Sequence, residues 1–392
     1  MNIRKASYML LPFLLLSGCS NKESASIPSS ENTTTEDNEI MYQYGDKEKY
    51  QNFLTDSIIY NEIVTLVEED GEIYGKLLYE PKKIISIRDY SLEKEYKTTD
   101  YRIEGKKIIR TESSNLPYFT SENMKGENLQ DYGISTMDGK EPGNKVMFTE
   151  GPGIVMHTIN VTYTHEDKWT LDMPSYKGAE LPKTINKLKN KEHLTVGFYG
   201  DSIMTGCNSS GKLAIPPYLD DFPTASVEML KSNYGYDEIE SFNSSKGGML
   251  SDWGVTNVDS LVNTNNPDLV FVGFGMNDGS WKIPAAKYVS QIEDIIARIQ
   301  AHNQDVEIVV VATILANPDA TQNQLQESYL SPLADMVNQY DGVTLMDMTT
   351  YSKNMLQFKR SVDLYANNIN HPNDFMVRGY VSNILSLLVE KY

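Results

Sequence analysis

Cysteine is almost absent from this 392-residue chain, where Cys19 and Cys207 are the only two. A disulfide framework and a Cys-x-x-Cys metal or redox pair are therefore excluded. Histidine is scarce too: there are five, and no two fall within helical reach of one another, so no metal-ligand spacing exists. Positive charge is in deficit, with 35 Lys and Arg against 54 Asp and Glu and a formal net charge of −19. Such an acidic surface repels phosphate backbones, so nucleic acid is not an expected partner. Past the amino terminus no apolar run is long enough to cross a bilayer. There is no Walker-type loop, and Gly273-Phe-Gly275 lacks the third glycine of a dinucleotide loop at the required place. No cofactor or metal is expected.

What is present begins with a leader. Arg4 and Lys5 give a basic start, and Tyr8 to Leu16 form an apolar core too short to span a membrane. The core ends in Leu16-Ser-Gly-Cys19, which resembles the lipobox of a bacterial lipoprotein signal peptide. That resemblance implies that Cys19 is lipidated, becomes the first mature residue and anchors the protein outside the cytoplasm on the cell membrane. More than one acyl chain is what stable anchoring needs. With Cys19 so used no internal disulfide is expected, and Cys207 reads as a small buried side chain. Residues 20–40 are rich in Ser, Thr, Glu and Asn and poor in apolar groups, the composition of an extended tether.

The rest of the chain changes period once. Its 40% hydrophobic and 23% charged residues are those of a folded protein. Over residues 41–180 the apolar runs are short: 58–67, 72–79, 83–87, 101–109 and 154–163 read as strands parted by turns such as Glu104-Gly105. A β-sandwich, jelly-roll-like, is expected. A basic run, residues 183–191, reads as a solvated helix. From residue 190 to 392, apolar strands at 194–199, 239–242, 269–274, 308–314 and 343–348 alternate with helices at 224–233, 285–300, 324–339 and 375–390. That alternation predicts a parallel sheet covered on both faces, an α/β fold.

Four short blocks fall at the carboxyl ends of these strands or in the last loop: Gly200-Asp-Ser202, Asn243-Ser-Ser-Lys-Gly-Gly248, Gly275-Met-Asn-Asp278 and Asn368-Ile-Asn-His371. Ligands of open α/β sheets bind at that edge. A serine hydroxyl is a weak nucleophile until a base takes its proton, and histidine has the suitable pKa. His157 and His165 sit in the β region, His193 in the connector and His302 at a helix end, which leaves His371 beside Ser202.

In order and spacing the blocks resemble those of the SGNH hydrolases, the GDSL esterase and lipase superfamily, from about Leu194 to the end. The resemblance implies a three-layer hydrolase domain. It also implies an oxyanion hole built from the Ser202 N–H, the Gly248 N–H and the Asn277 amide, with Asp201 bracing the loops. The family commonly has Asp three residues before the histidine; here Asn368 stands there. Asn368 is thus expected to orient the ring weakly, unless Asp363 or Asp374 approaches instead. A β-sandwich followed by such a domain also resembles secreted carbohydrate O-acetylesterases, which makes an acylated glycan the expected substrate. Trp253 and Trp281, close after two blocks, could stack on sugar faces or pack in the core. A lipase or thioesterase, an acyltransferase, and a non-catalytic glycan-binding lipoprotein remain as alternatives.

Overall fold

The structure, a computed structural model, describes residues 49–50 and 52–392. The leader, the tether and Cys19 lie outside the described residues.

The amino-terminal region is strand-rich. Its strands are β1 (Ile58–Val64), β2 (Val67–Glu69), β3 (Glu72–Lys76), β4 (Lys83–Asp89), β5 (Tyr101–Glu104), β6 (Lys107–Arg110), β7 (Ser135–Asp138), β8 (Lys145–Phe148) and β9 (Ile159–Thr164). They form antiparallel sheets in the orders β1-β9-β4, β2-β3-β6-β5 and β7-β8, consistent with a sandwich. The β5–β6 hairpin turns at Gly105, whose φ of 54 suits glycine, and pairs Glu104 with Lys107. The expected strand 58–67 bulges between Ile59 and Glu62 and breaks before β2. The β7–β8 hairpin carries no apolar alternation because β7 has no buried residue.

The carboxyl-terminal half is the expected α/β unit. Strands β10 (Leu194–Gly200), β11 (Ile239–Asn243), β12 (Leu269–Gly273), β13 (Glu307–Ala312) and β14 (Val343–Asp347) make a parallel sheet in the order β11-β10-β12-β13-β14. Every residue of β12 and β13 is buried, which is why these strands, after Glu307 at the start of β13, read as unbroken apolar runs. Alternate side chains enter opposite layers. Leu269 and Phe271 join one core with helices 222–234 and 374–388, while Val270 and Val272 join another with helices 251–261 and 285–302.

The first of these cores does not stop at the α/β unit. It continues through Ile59, Ile63, Val161 and Tyr163 of the β-rich region, so helix 374–388 is buried on all sides from Phe375 to Leu388. Phe53 stacks on Phe375 with ring centroids 4.5 Å apart. Lys359, wholly buried, reaches across to the equally buried Glu62 at 2.5 Å, and Glu62 also accepts bonds from Leu78 N–H and Tyr163 O–H. Thr65 N–H donates to Asp363 Oδ1 at 2.7 Å. The two halves are thereby fixed against each other by packing and by buried polar bonds.

Candidate active site

The sheet order brings three of the four blocks together. β10 lies between β11 and β12, so the loops leaving these strands share one edge. β10 and β12 run so close at their ends that a Cβ on Gly200 would sit 2.1 Å from Gly273 O, which only glycine avoids. Beyond Gly200 the chain turns, and Ser202 O accepts from Thr205 Oγ1 at 2.7 Å. The loop after β11 keeps strand-like bonds to β10, from Ser244 N–H to Phe198 O and from Lys246 N–H to Gly200 O. It then crosses Ser202: a Cβ on Gly247 would come within 3.6 Å of Ser202 Cβ. Gly248 follows at φ 77, a conformation a glycine takes at no steric cost.

The fourth block is brought in by the loop before helix 374–388. Asn367 Oδ1 accepts three successive backbone N–H groups, those of Ile369, Asn370 and His371, and so winds the loop into one shape. His371 Nε2 lies 2.9 Å from Ser202 Oγ, and both residues are 7% exposed. The distance is within the reach that a nucleophile and its base need for acyl transfer. The other histidines are occupied elsewhere. His165 stacks on Tyr79, His157 Nδ1 meets Gly153 O, His193 is near Glu240 and His302 Nε2 meets Asn266.

The expectation for Asn368 is corrected by the geometry. Asn368 has φ 61, and its amide donates to Met147 O at 3.0 Å while its carbonyl faces Asn317. It ties the histidine loop to β8 and does not touch the imidazole. Neither alternative acid reaches the ring. Asp363 accepts from Thr65 N–H and Arg360 N–H, and Asp374 accepts from Ser210 N–H. His371 Nδ1 faces Asn208 Oδ1 at 2.5 Å and Glu150 Oε2 at 3.1 Å. Asn208 Nδ2 donates to Glu150 O at 2.9 Å, which fixes the amide with its oxygen toward the ring. Asn367 Nδ2 reaches Glu150 Oε1 at 3.4 Å. Burial pushes the Glu150 carboxyl up, but the bonds and charge of His371, with those of Asn367 and Asn208, outweigh it and hold it below the usual range.

Asn208 and Glu150 carry no sequence signal. Glu150 lies 221 positions from His371, in a Glu-Gly-Pro-Gly turn of the β-rich region, where no motif spacing could reveal it. Asn208 sits at φ 67 just past Cys207. Cys207 is buried with its sulfur 3.1 Å from Thr205 Oγ1.

Asn277 lies in the first turn of helix 276–280, after Gly275 at φ 122. One N–H of its amide goes to Met249 O at 3.0 Å, which leaves the second available to a ligand. Asp278 accepts from Ser251 N–H and Oγ, and burial raises its pKa against these bonds. Asp201, 1% exposed, accepts from Ile203 N–H at 3.0 Å, and burial pushes its carboxyl up to about 7. Trp253 packs on Tyr199 and Phe274, the core role, whereas Trp281 is 55% exposed at the end of the helix that carries Asn277. A charged cleft of about 1050 Å³ opens behind the histidine loop against Asn317 and Asn368; Ser202 and His371 do not line it, so it is not the acyl site.

Residues 198–376 match the GDSL-like Lipase/Acylhydrolase family. No curated protein matches the chain. Similar solved structures include a two-domain esterase active on acetylated mannans, crystallised with mannopentaose, at 18% identity and TM-score 0.41, covering 54% of each chain. A lipase/acylhydrolase from Enterococcus faecalis is 19% identical at TM-score 0.38, covering 49% of this chain and 95% of that one. An acetylxylan esterase from Geobacillus stearothermophilus is 15% identical at TM-score 0.40, covering 49% and 92%. The chain thus spans about half the length of the two-domain esterase.

Proposed function

We propose that the protein is a serine esterase that hydrolyses small acyl esters, O-acetyl groups on a carbohydrate above all, a reading supported by the match of residues 198–376 to the GDSL-like Lipase/Acylhydrolase family. The observation that carries this is the 2.9 Å contact of His371 Nε2 with Ser202 Oγ at the carboxyl edge of the sheet.

In the reaction Ser202 Oγ attacks the ester carbonyl while His371 Nε2 takes its proton. The negative charge that develops on the carbonyl oxygen is met by the Ser202 and Gly248 N–H groups and by the free N–H of Asn277, each such donor being worth about 3 kcal/mol. His371 then gives its proton to the departing alkoxide, leaving an acyl-serine. Water, deprotonated by the same imidazole, releases the acid and restores the serine. An asparagine donor suits this task because it carries no charge that would draw the base's proton.

The sugar substrate is supported by the exposed indole of Trp281, a residue whose backbone N–H donates to Asn277 O at 2.9 Å, one helical turn from the oxyanion donor. Sugar C–H faces stack on such a ring. Anchoring through a lipidated Cys19 belongs to the same proposal and has its own test: metabolic labelling with radioactive palmitate, lost in Cys19→Ala.

The activity is tested by acetate release from an acetylated polysaccharide and from 4-nitrophenyl acetate. Release that disappears in Ser202→Ala is the expected result. Equal release from wild type and Ser202→Ala, on these and on longer acyl esters, would overturn the reading.

A further inference from the structure

The serine and its base come from the α/β half, but the negative charge behind the base does not. We infer that Glu150, from the β-rich region, is the positioning residue that completes the Ser202–His371 pair, so that the hydrolytic machinery is assembled from both halves of the chain. This rests on the serine-esterase reading above and deepens it.

Three observations carry it. First, the position three residues before the histidine is an asparagine turned away to Met147 O, so it offers no acid to the ring. Among the described residues near Nδ1 the acceptors are Asn208 Oδ1 at 2.5 Å and Glu150 Oε2 at 3.1 Å. Asn208 can hold the tautomer that leaves Nε2 free to accept the serine proton, but it is neutral. Of these two, only Glu150 brings charge to Nδ1 of the imidazolium that forms during attack, which is the task a triad acid performs.

Second, the carboxylate is held for that task. Asn367, which winds the histidine loop, also donates to Glu150 Oε1, and Asn208 bonds Glu150 through its amide. Its pKa below the usual range keeps it ionised wherever a neutral imidazole can act as base. Third, the loop that carries it cannot drift. β8, just ahead of it, accepts from Asn368, and β1 and β9 share a core with helix 374–388 directly after the histidine loop.

The loss expected from removing the charge is smaller than the roughly 10⁴-fold seen when an acid-to-amide change also inverts the imidazole tautomer, because Asn208 still fixes the tautomer here. The test uses the full chain. It measures the rate at which a fluorophosphonate labels Ser202, read by intact mass, together with kcat and KM on 4-nitrophenyl acetate. In Glu150→Gln both the labelling rate and kcat fall about a hundredfold, with KM within about threefold of wild type. Glu150→Ala loses as much, and added formate, a free carboxylate small enough for the vacated space, restores about tenfold of it while chloride does not.

Labelling and kcat in Glu150→Gln within about threefold of wild type overturn the inference and leave the esterase reading intact. So does a loss in Glu150→Ala that formate leaves untouched, the mark of a packing role alone. A wild type that neither labels nor hydrolyses any ester overturns the esterase reading, and this inference with it.

Discussion

Asp201→Asn isolates the cost of burying a carboxyl beside the nucleophile. Asp201 is 1% exposed, its Oδ1 accepts from Ile203 N–H, and its Oδ2 is buried without a hydrogen-bond partner. Burial lifts its pKa from the ordinary 3.8 to about 7, with Asp278 adding to the rise and His371 opposing it from the neighbouring loops. The folded state therefore holds this proton more tightly than the unfolded chain does. Below about pH 4 both states are protonated and nothing is lost. As the pH climbs from there toward 7 the unfolded chain ionises while the folded protein does not, and stability falls by about 1.4 kcal/mol per pH unit. The total reaches about 4 kcal/mol and stays level above pH 7.

Asparagine has the same shape, keeps the bond from Ile203 and has no proton to lose. Urea unfolding of wild type and Asp201→Asn at about pH 4, 6 and 8 isolates this group, since every other titrating residue is common to both. The variant should match wild type at the lowest pH and exceed it by about 4 kcal/mol at the highest. A difference that does not change with pH would refute the reasoning, because it would mean that Asp201 is ionised in the fold throughout.

Asn277→Ala removes the proposed oxyanion donor and should lower kcat by about 10²–10³ with little change in KM, measured on 4-nitrophenyl acetate. Lys359→Met leaves Glu62 buried without its cation and should cost about 3–5 kcal/mol in urea unfolding, since the lost pair spans both halves of the chain. Gly200→Ala drives a Cβ against Gly273 O, so the strand ends must part. A loss of about 1–3 kcal/mol together with slower ester hydrolysis is expected, read by urea unfolding and by kcat.

The sheet was legible because β12 and β13 are buried on both faces and so read as apolar runs, and because helices such as 285–302 between strands keep their own period. The serine, the glycine pair, the asparagine and the histidine were legible because short loops after strands keep chemistry and punctuation close together in the chain. What escaped was whatever tertiary packing alone decides. Asn368 stands where an acid is expected, yet a left-handed backbone turns its amide to Met147 O. Glu150 looks like any acid in a glycine-rich turn, and only the docking of the β-rich region carries it to the imidazole. The β7–β8 hairpin that leads to it buries too little to impose an alternating pattern. Helix 374–388 reads as a helix, but that it would be enclosed on all sides follows only from the second half of its core arriving from residues some 300 positions earlier.

Peptide mapping by mass spectrometry after an acid quench of the full chain with 4-nitrophenyl acetate tests most directly whether Ser202 forms the proposed covalent acyl intermediate. An adduct with the mass of one acetyl group on the peptide that contains Ser202, absent in Ser202→Ala, is the predicted result. Ester turnover that persists in Ser202→Ala, or an acetyl group that maps to another residue while Ser202 stays unmodified, would contradict it.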